Sequence, residues 1–218
     1  MKIFLIFCLG ASFGSFFTVL IERLSGGHSL LFPSSHCNNC QHPLRLKDLI
    51  PILSQVLSKS SCRYCAVKIP LWYGFLEFLS GILFLLVFLQ IISYSLFFFL
   101  LMSSLLSIFD FKSHNFPFSV WLFFTFLILF TGNFQPFHLI FLCLSLLSSI
   151  LPLKIGSGDF LWLFSAALTL KINQFPPLIF IASMTGIIFI LIKKEREIAF
   201  IPHLTLAYLI LTVLPQIQ

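Results

Sequence analysis

Residues 94–112 read YSLFFFLLMSSLLSIFDFK, a run with no charge from Tyr94 to Phe109 that is closed by Asp110 and Lys112. A soluble amphipathic helix would show a charged or polar face every three to four residues. This run carries no charge and only scattered serines, so it reads as a helix of a membrane body. A carboxylate at the end of such a helix is costly and needs a reason.

The same pattern recurs along the chain. Eight apolar segments are expected: Ile3 to Ile21, Leu71 to Ile92, Tyr94 to Phe109, Phe116 to Phe130, Pro136 to Leu151, Phe160 to Leu170, Phe175 to Ile192 and Ile198 to Leu214. A spanning helix needs roughly 17–25 apolar residues. Several segments are shorter, so either the turn at 156–159 lies at membrane depth or some helices enter as partial spans. Irregular backbone at that depth is tolerated only where protein or a cavity surrounds it. The runs are continuous and not alternating, which argues against a β-barrel.

Composition agrees. Of 218 residues, 59% are hydrophobic and 9% charged, against about 45–50% and about 25% for a soluble domain. A soluble globular protein, a disordered chain and a collagen-like fibre are excluded. The excess of 13 Lys+Arg over 7 Asp+Glu sits on an apolar background, so it does not form the basic stripe of a nucleic-acid binder.

One polar island, Glu22 to Pro70, interrupts the pattern. It holds Cys37-x-x-Cys40 and Cys62-x-x-Cys65, separated by 21 residues. Two such pairs can place four thiolates around a tetrahedral ion, the usual structural zinc arrangement. The island is poor in apolar residues, so metal binding would supply folding energy. His28, His36 and His42 lie nearby and read as solvated loop residues. Cys8 and Cys143 lie in apolar runs and read as small buried hydrophobes.

Charge placement gives a topology. With the island in the cytoplasm and sides alternating, cytoplasmic loops carry Arg23, Arg45, Lys47, Lys59, Arg63, Lys68, Lys112, Lys154, Lys193, Lys194 and Arg196, while the other side keeps Lys2 and Lys171. That asymmetry predicts a cytoplasmic island and both termini outside. Reading the start as a cleaved signal peptide would invert it.

The same topology brings two carboxylates to one edge. Asp110 ends the third segment, and Asp159 sits in Gly156-Ser157-Gly158-Asp159 at the start of the sixth. Two adjacent carboxylates share a proton, so one can activate water while the other protonates the carbonyl oxygen or the leaving amine. This is aspartic peptidase chemistry. Gly156 and Gly158 would permit a tight turn and close approach of a substrate backbone. An Asp at a helix end is otherwise often only a cap. Glu77, inside the second segment, is expected to pair with Arg23. Asp48, Glu22, Glu195 and Glu197 read as solvated.

These residues resemble the prepilin peptidases (type IV leader peptidases), which are GxGD-type intramembrane aspartic proteases. Gly14-Ser15-Phe16, Ile21 and Arg23-Leu24 resemble the family's first helix. Cys37-x-x-Cys40-x-x-Pro43-Leu44, Asp48, Ile50-Pro51, Leu53-Ser54, Cys62-Arg63-x-Cys65, Ile69, Tyr73, Glu77 and Gly81 resemble the next part of the pattern. Asp110 with Pro117, then Gly156-x-Gly158-Asp159, resemble the two catalytic aspartate motifs, and Phe200-x-Pro202 the closing one. Thr18, Phe118, Phe160-Leu161 and Ile201 depart from the usual residues, and none of them removes a catalytic carboxylate.

The resemblance implies an enzyme of the bacterial cytoplasmic membrane. It would cleave the basic leader from prepilins or pseudopilins of pili, type II secretion or DNA-uptake (competence) machinery, at the cytoplasmic face. In methylating members S-adenosylmethionine then methylates the new N-terminus. The expected fold is an all-α polytopic transmembrane bundle with a small cytoplasmic zinc-binding loop: residues 1–21 a first transmembrane helix, 22–70 the four-cysteine island and 71–218 the aspartic peptidase core. No nucleic-acid partner is expected. The alternative is a small ion-coupled transporter in which Asp110 and Asp159 are cation ligands.

Overall fold

A computed structural model describes residues 1–27, 29, 34–132, 134–151, 156–194 and 198–213. His28, Lys154, Glu195, Arg196 and Glu197, named above, lie outside the described residues. Among the described residues the architecture is all-helical, without a strand. Nine α-helices follow in order: α1 (Lys2–Ser25), α2 (Leu53–Leu57), α3 (Trp72–Phe88), α4 (Tyr94–Ser113), α5 (Phe118–Thr131), α6 (Leu139–Ile150), α7 (Ser157–Ala167), α8 (Phe175–Lys193) and α9 (Ile201–Val213). Each of the eight expected apolar segments contains the greater part of one helix, and α2 is an addition within the polar island.

Lys2–Ser25, Tyr94–Ser113 and Ile172–Lys193 are long and apolar enough to cross a membrane, and four further apolar helices are shorter. The 11 residues of α7 rise about 17 Å, well short of the roughly 30 Å hydrocarbon core. The protein is therefore a membrane protein whose helices differ widely in reach.

The chain forms two compact units, Met1–Ser93 and Tyr94–Gln218. The boundary falls one helix later than a division at 70/71, because α3 packs against α1. Gly10 and Gly14 allow that packing. A Cβ on Gly14 would lie 2.6 Å from the Cα of Glu77, so the two backbones approach as small-x-x-x-small helices do in membranes.

In the second unit α4 packs against α5, α7 and α9, while α6 packs on α7 and α8 on α9. The core holds Met102, Leu105, Leu106, Phe109, Ile128, Leu178 and Leu204. Phe99 sits at its centre, its ring 5.1 Å from Trp162 and 4.3 Å from Tyr208. Cys143, expected to be buried, lies exposed on α6, whose Ile140 and Leu147 on the same face are exposed too. An exposed apolar face of this kind is what a lipid-facing helix of a membrane protein presents.

Candidate functional site

The cysteine island is made of two matching hairpins. In the first, Cys37 N–H donates to the His42 carbonyl at 3.0 Å and Gln41 N–H to the Cys37 carbonyl at 2.9 Å. In the second, Cys62 N–H donates to Val67 at 2.8 Å and Ala66 N–H to Cys62 at 2.9 Å. The isolated bridges His36–Pro43 and Ser61–Lys68 close the two bases. Each turn passes through a left-handed residue just after its second cysteine, Gln41 at φ 56° and Ala66 at φ 58°.

The four Sγ atoms lie within 4.8 Å of one another, and Cys37 Sγ is 3.8 Å from Cys65 Sγ. Four sulfurs placed tetrahedrally at about 2.3 Å from an ion stand about 3.8 Å apart. All four cysteines are free, so the cluster fits a metal ion. The Val67 N–H and the Asn39 amide draw the Cys65 thiol down to about 6. Against the pull of the His42 N–H, desolvation and the neighbouring thiols push Cys40 up to about 11.

Asp48 is not a solvated loop carboxylate. Its side chain is 8% exposed and meets Arg63 Nη1 at 3.3 Å. Its Oδ2 accepts from Arg45 N–H and from the Tyr64 hydroxyl, both at 3.1 Å. Arg63 and Tyr64 are the two middle residues of the second Cys-x-x-Cys, so Asp48 braces that turn. The His42 ring lies 3.7 Å from the Tyr64 ring and ties the first hairpin to the second. His36 Nδ1 meets the Ser34 carbonyl at 2.8 Å. Glu22 is likewise engaged, by the Tyr73 hydroxyl.

The expected Arg23–Glu77 pair is replaced by other partners. Glu77 Oε2 accepts the Ile52 N–H at 2.7 Å, with Ser15 as a second partner. Arg23 Nη1 donates to the Ser29 carbonyl at 3.0 Å. The reason is geometric: Gly14 brings α1 against the Cα of Glu77, so the carboxylate is reached by Ser15 and the island backbone.

In the second unit Asp110, near the end of α4, and Asp159, in the first turn of α7, lie within electrostatic reach of each other. Both are half-buried. Asp110 Oδ2 accepts the Ile201 N–H at 3.0 Å, so the carboxylate sits at the N-terminus of α9, where unpaired N–H groups favour an anion. This gives the Phe200-x-Pro202 stretch a place in the fold. Proline at that helix start gives up an N–H that would be unpaired anyway.

The two glycines before Asp159 differ. A Cβ on Gly158 would lie 2.5 Å from the Phe116 ring, so only glycine lets Phe116 pack there. Gly156 is exposed, and among the described residues the nearest atom a Cβ on it would meet is Asp159 Oδ2, at 3.4 Å. Neither glycine has a left-handed backbone; close approach explains the first.

Buried hydrogen bonds hold these helices in register. Trp162 Nε1 donates to Ser103 Oγ at 2.9 Å. Trp162 lies on the same face of α7 as Asp159, three residues on, and Ser103 on the same face of α4 as Asp110, two turns back. Ser107 and Thr205 hydroxyls meet at 3.0 Å between α4 and α9. Trp121 Nε1 reaches Leu161 O and Ser165 Oγ, each at 2.9 Å, and Thr125 meets Ser165 at 2.8 Å. The sequence signal for this frame is lone Ser and Thr residues in apolar helices, which in membranes bond across helices.

Residues 8–91 match the Bacterial Peptidase A24 N-terminal domain. A prepilin leader peptidase/N-methyltransferase of Neisseria gonorrhoeae is 30% identical over 215 residues, covering 86% of this chain and 73% of the relative. Proteins of the same name from Klebsiella pneumoniae (38% over 87 residues) and Myxococcus xanthus (39% over 79 residues) match 37% and 36% of the chain. The matches span only 38% and 24% of those two relatives' own lengths. No solved structure matches. On the length and identity of the Neisseria match, the chain belongs to the prepilin leader peptidase/N-methyltransferase family.

Proposed function

We propose that the chain is a membrane aspartic endopeptidase that removes the basic leader from type IV prepilin-like precursors. Asp110 and Asp159 would be the catalytic pair, and Cys37, Cys40, Cys62 and Cys65 the ligands of a structural Zn2+. The observation that carries the reading is that α4 and α7, tied by the Trp162–Ser103 bond, hold carboxylates within electrostatic reach of each other. It is supported by relatives named prepilin leader peptidase/N-methyltransferase.

The chemistry follows from a shared proton. The ionised carboxylate takes a proton from a water whose oxygen adds to the scissile carbonyl carbon. The protonated carboxyl gives its proton to the carbonyl oxygen. Collapse then breaks the C–N bond, and the amine leaves with a proton from the pair. The pair titrates as a unit, so base and acid are roles of the pair. Gly156 presents bare backbone beside Asp159 Oδ2 for an extended substrate to approach, and Gly158 admits the Phe116 ring.

The division of labour is a metal-binding island at 22–70 and a peptidase core in the helices that follow. Zinc would close the two hairpins with four thiolates and supply no catalytic step. The basic-residue asymmetry supports a site at the cytoplasmic face of a bacterial inner membrane with both termini outside. Precursors with a positive leader and an apolar helix, the pilins and pseudopilins, would meet the pair there. N-methylation would draw its methyl group from S-adenosylmethionine and is a separate step.

The test is co-expression of a prepilin with wild type, Asp110→Asn or Asp159→Asn. Wild type should shorten the precursor, and neither variant should. Cleavage surviving in both variants would sink the aspartate pair. An uncut precursor with wild type would revive the ion-coupled carrier, which no observation now favours. Mass analysis of the mature N-terminus decides whether methylation follows.

A further inference from the structure

The segment between the two cysteine hairpins is built inside out. In α2 Gln55 turns to the protein, its Nε2 donating to the Pro70 carbonyl at 3.0 Å, and just after the helix Ser58 Oγ turns back to the Gln55 carbonyl at 3.3 Å. Leu53, Val56 and Leu57 share the other face by their i, i+3, i+4 spacing, and they are 56%, 66% and 73% exposed. Leu46, Leu49 and Ile50 of the same segment are exposed as well. A patch of this kind on a soluble surface is costly and marks a contact.

The contact is identified by depth and by charge. Ile52 N–H reaches Glu77 Oε2 at 2.7 Å, and Glu77 lies five residues beyond Trp72, about 7 Å into α3 at the helical rise. Gln55 Oε1 packs at Gly74 in the same stretch. The segment therefore runs beside the first turns of a membrane helix that opens with Trp72 and Tyr73, residue types that favour the bilayer interface. Arg45, Lys47 and Lys59 are exposed. Asp48, the one carboxylate among residues 45–59, is 8% exposed and held by Arg63. The charge left facing outward is cationic.

We propose that residues 45–59 form an interfacial element seated on an anionic bilayer surface. Leu53, Val56 and Leu57 enter the headgroup–acyl boundary, and Arg45, Lys47 and Lys59 meet lipid phosphates. The cysteine hairpins are then held against the membrane and do not hang free in water. The inference rests on the membrane reading of α1 and α3. It is independent of the aspartate pair and of the metal.

The test uses the full chain in nanodiscs of phosphatidylglycerol and phosphatidylcholine, with a photoreactive benzophenone amino acid in place of Leu57. The control carries it in place of Phe126, an exposed side chain of α5. Irradiation should give lipid adducts at position 57 in a yield comparable to the control. Adducts to a polypeptide, or no lipid adduct where the control gives one, would overturn the proposal in favour of a protein-docking surface. Replacing Arg45, Lys47 and Lys59 together by Gln should lower the yield in anionic discs, by up to about fivefold per charge, and leave phosphatidylcholine-only discs unaffected. An unchanged yield in anionic discs would remove the headgroup half of the proposal.

Discussion

The cysteine cluster and the aspartate pair both gather residues from distant parts of the chain, and they are held in opposite ways. Each cysteine hairpin is closed by its own two backbone hydrogen bonds, so one long-range event remains, the meeting of two preformed turns. Asp110 and Asp159 belong to no common motif. Their helices are held by Trp162–Ser103 between α4 and α7, and by Ser107–Thr205 and Asp110–Ile201 between α4 and α9. With a metal bound, the first arrangement would hang on one centre, and the second is spread over a helical frame. The first should therefore fail all at once and the second by degrees.

The largest expected effect tests that contrast directly. A structural zinc site contributes on the order of 10 kcal/mol to folding, more than a small polar island holds otherwise. Chelation, or Cys62→Ala, should open residues 34–70 to protease while fragments of α4 to α9 stay protected. Mass analysis of the digest reads both at once. Hairpins that resist protease without metal would break the comparison.

Removing a carboxylate should do the reverse. Asp110→Asn keeps an oxygen that can accept the Ile201 N–H, so the fold should hold and the thermal midpoint should stay put. Loss of one member of an acid–base pair costs about 10²–10⁴ in rate, read from initial rates of prepilin cleavage. A variant that unfolds would make Asp110 a cap of α9 before it is anything else.

The next effects probe the frame. Gly158→Ala forces a Cβ to 2.5 Å from the Phe116 ring and should cost about 1–3 kcal/mol as overpacking. Gly156→Ala meets nothing closer than 3.4 Å among the described residues and should be close to neutral in stability. Trp162→Phe leaves the fully buried Ser103 hydroxyl without its indole donor and should cost about 1 kcal/mol. Thermal midpoints in one detergent rank the three, and equal losses from both glycines would refute the distinction between them.

How far each region was legible from sequence follows the same division. The hairpins could be read from Cys-x-x-Cys spacing because the geometry is local. The eight helices could be read from apolar runs because the bilayer, not tertiary packing, selects them. The aspartates stand out as rare charges in an apolar chain. What sequence did not yield was the frame: nothing in the spacing of Trp162 and Ser103, 59 positions apart, announces that they meet. Charge matching pairs Glu77 with Arg23, whereas a backbone N–H and a hydroxyl take it in the structure. Asp48 reads from sequence as a solvated loop residue because its partners, Arg63 and Tyr64, are brought to it only when the second hairpin folds.

The smallest expected effect asks whether the two hairpins are as equivalent as their backbones. Ala66 and Gln41 hold the same left-handed conformation, at φ 58° and 56°, which costs an L-residue roughly 1–2 kcal/mol. Glycine relieves that cost but loses about 0.5–1 kcal/mol through the freedom it gains in the unfolded chain. Ala66→Gly should therefore tighten metal binding slightly. Gln41→Gly relieves the same backbone but also gives up the Gln41 Nε2 bond to the Asn38 carbonyl, at 3.2 Å, so its gain should be smaller or absent. Competition with a chromophoric chelator measures both variants on one scale. A larger gain at position 41 than at 66 would mean that the side-chain bond contributes nothing and that the hairpins differ by something other than the residue at the turn.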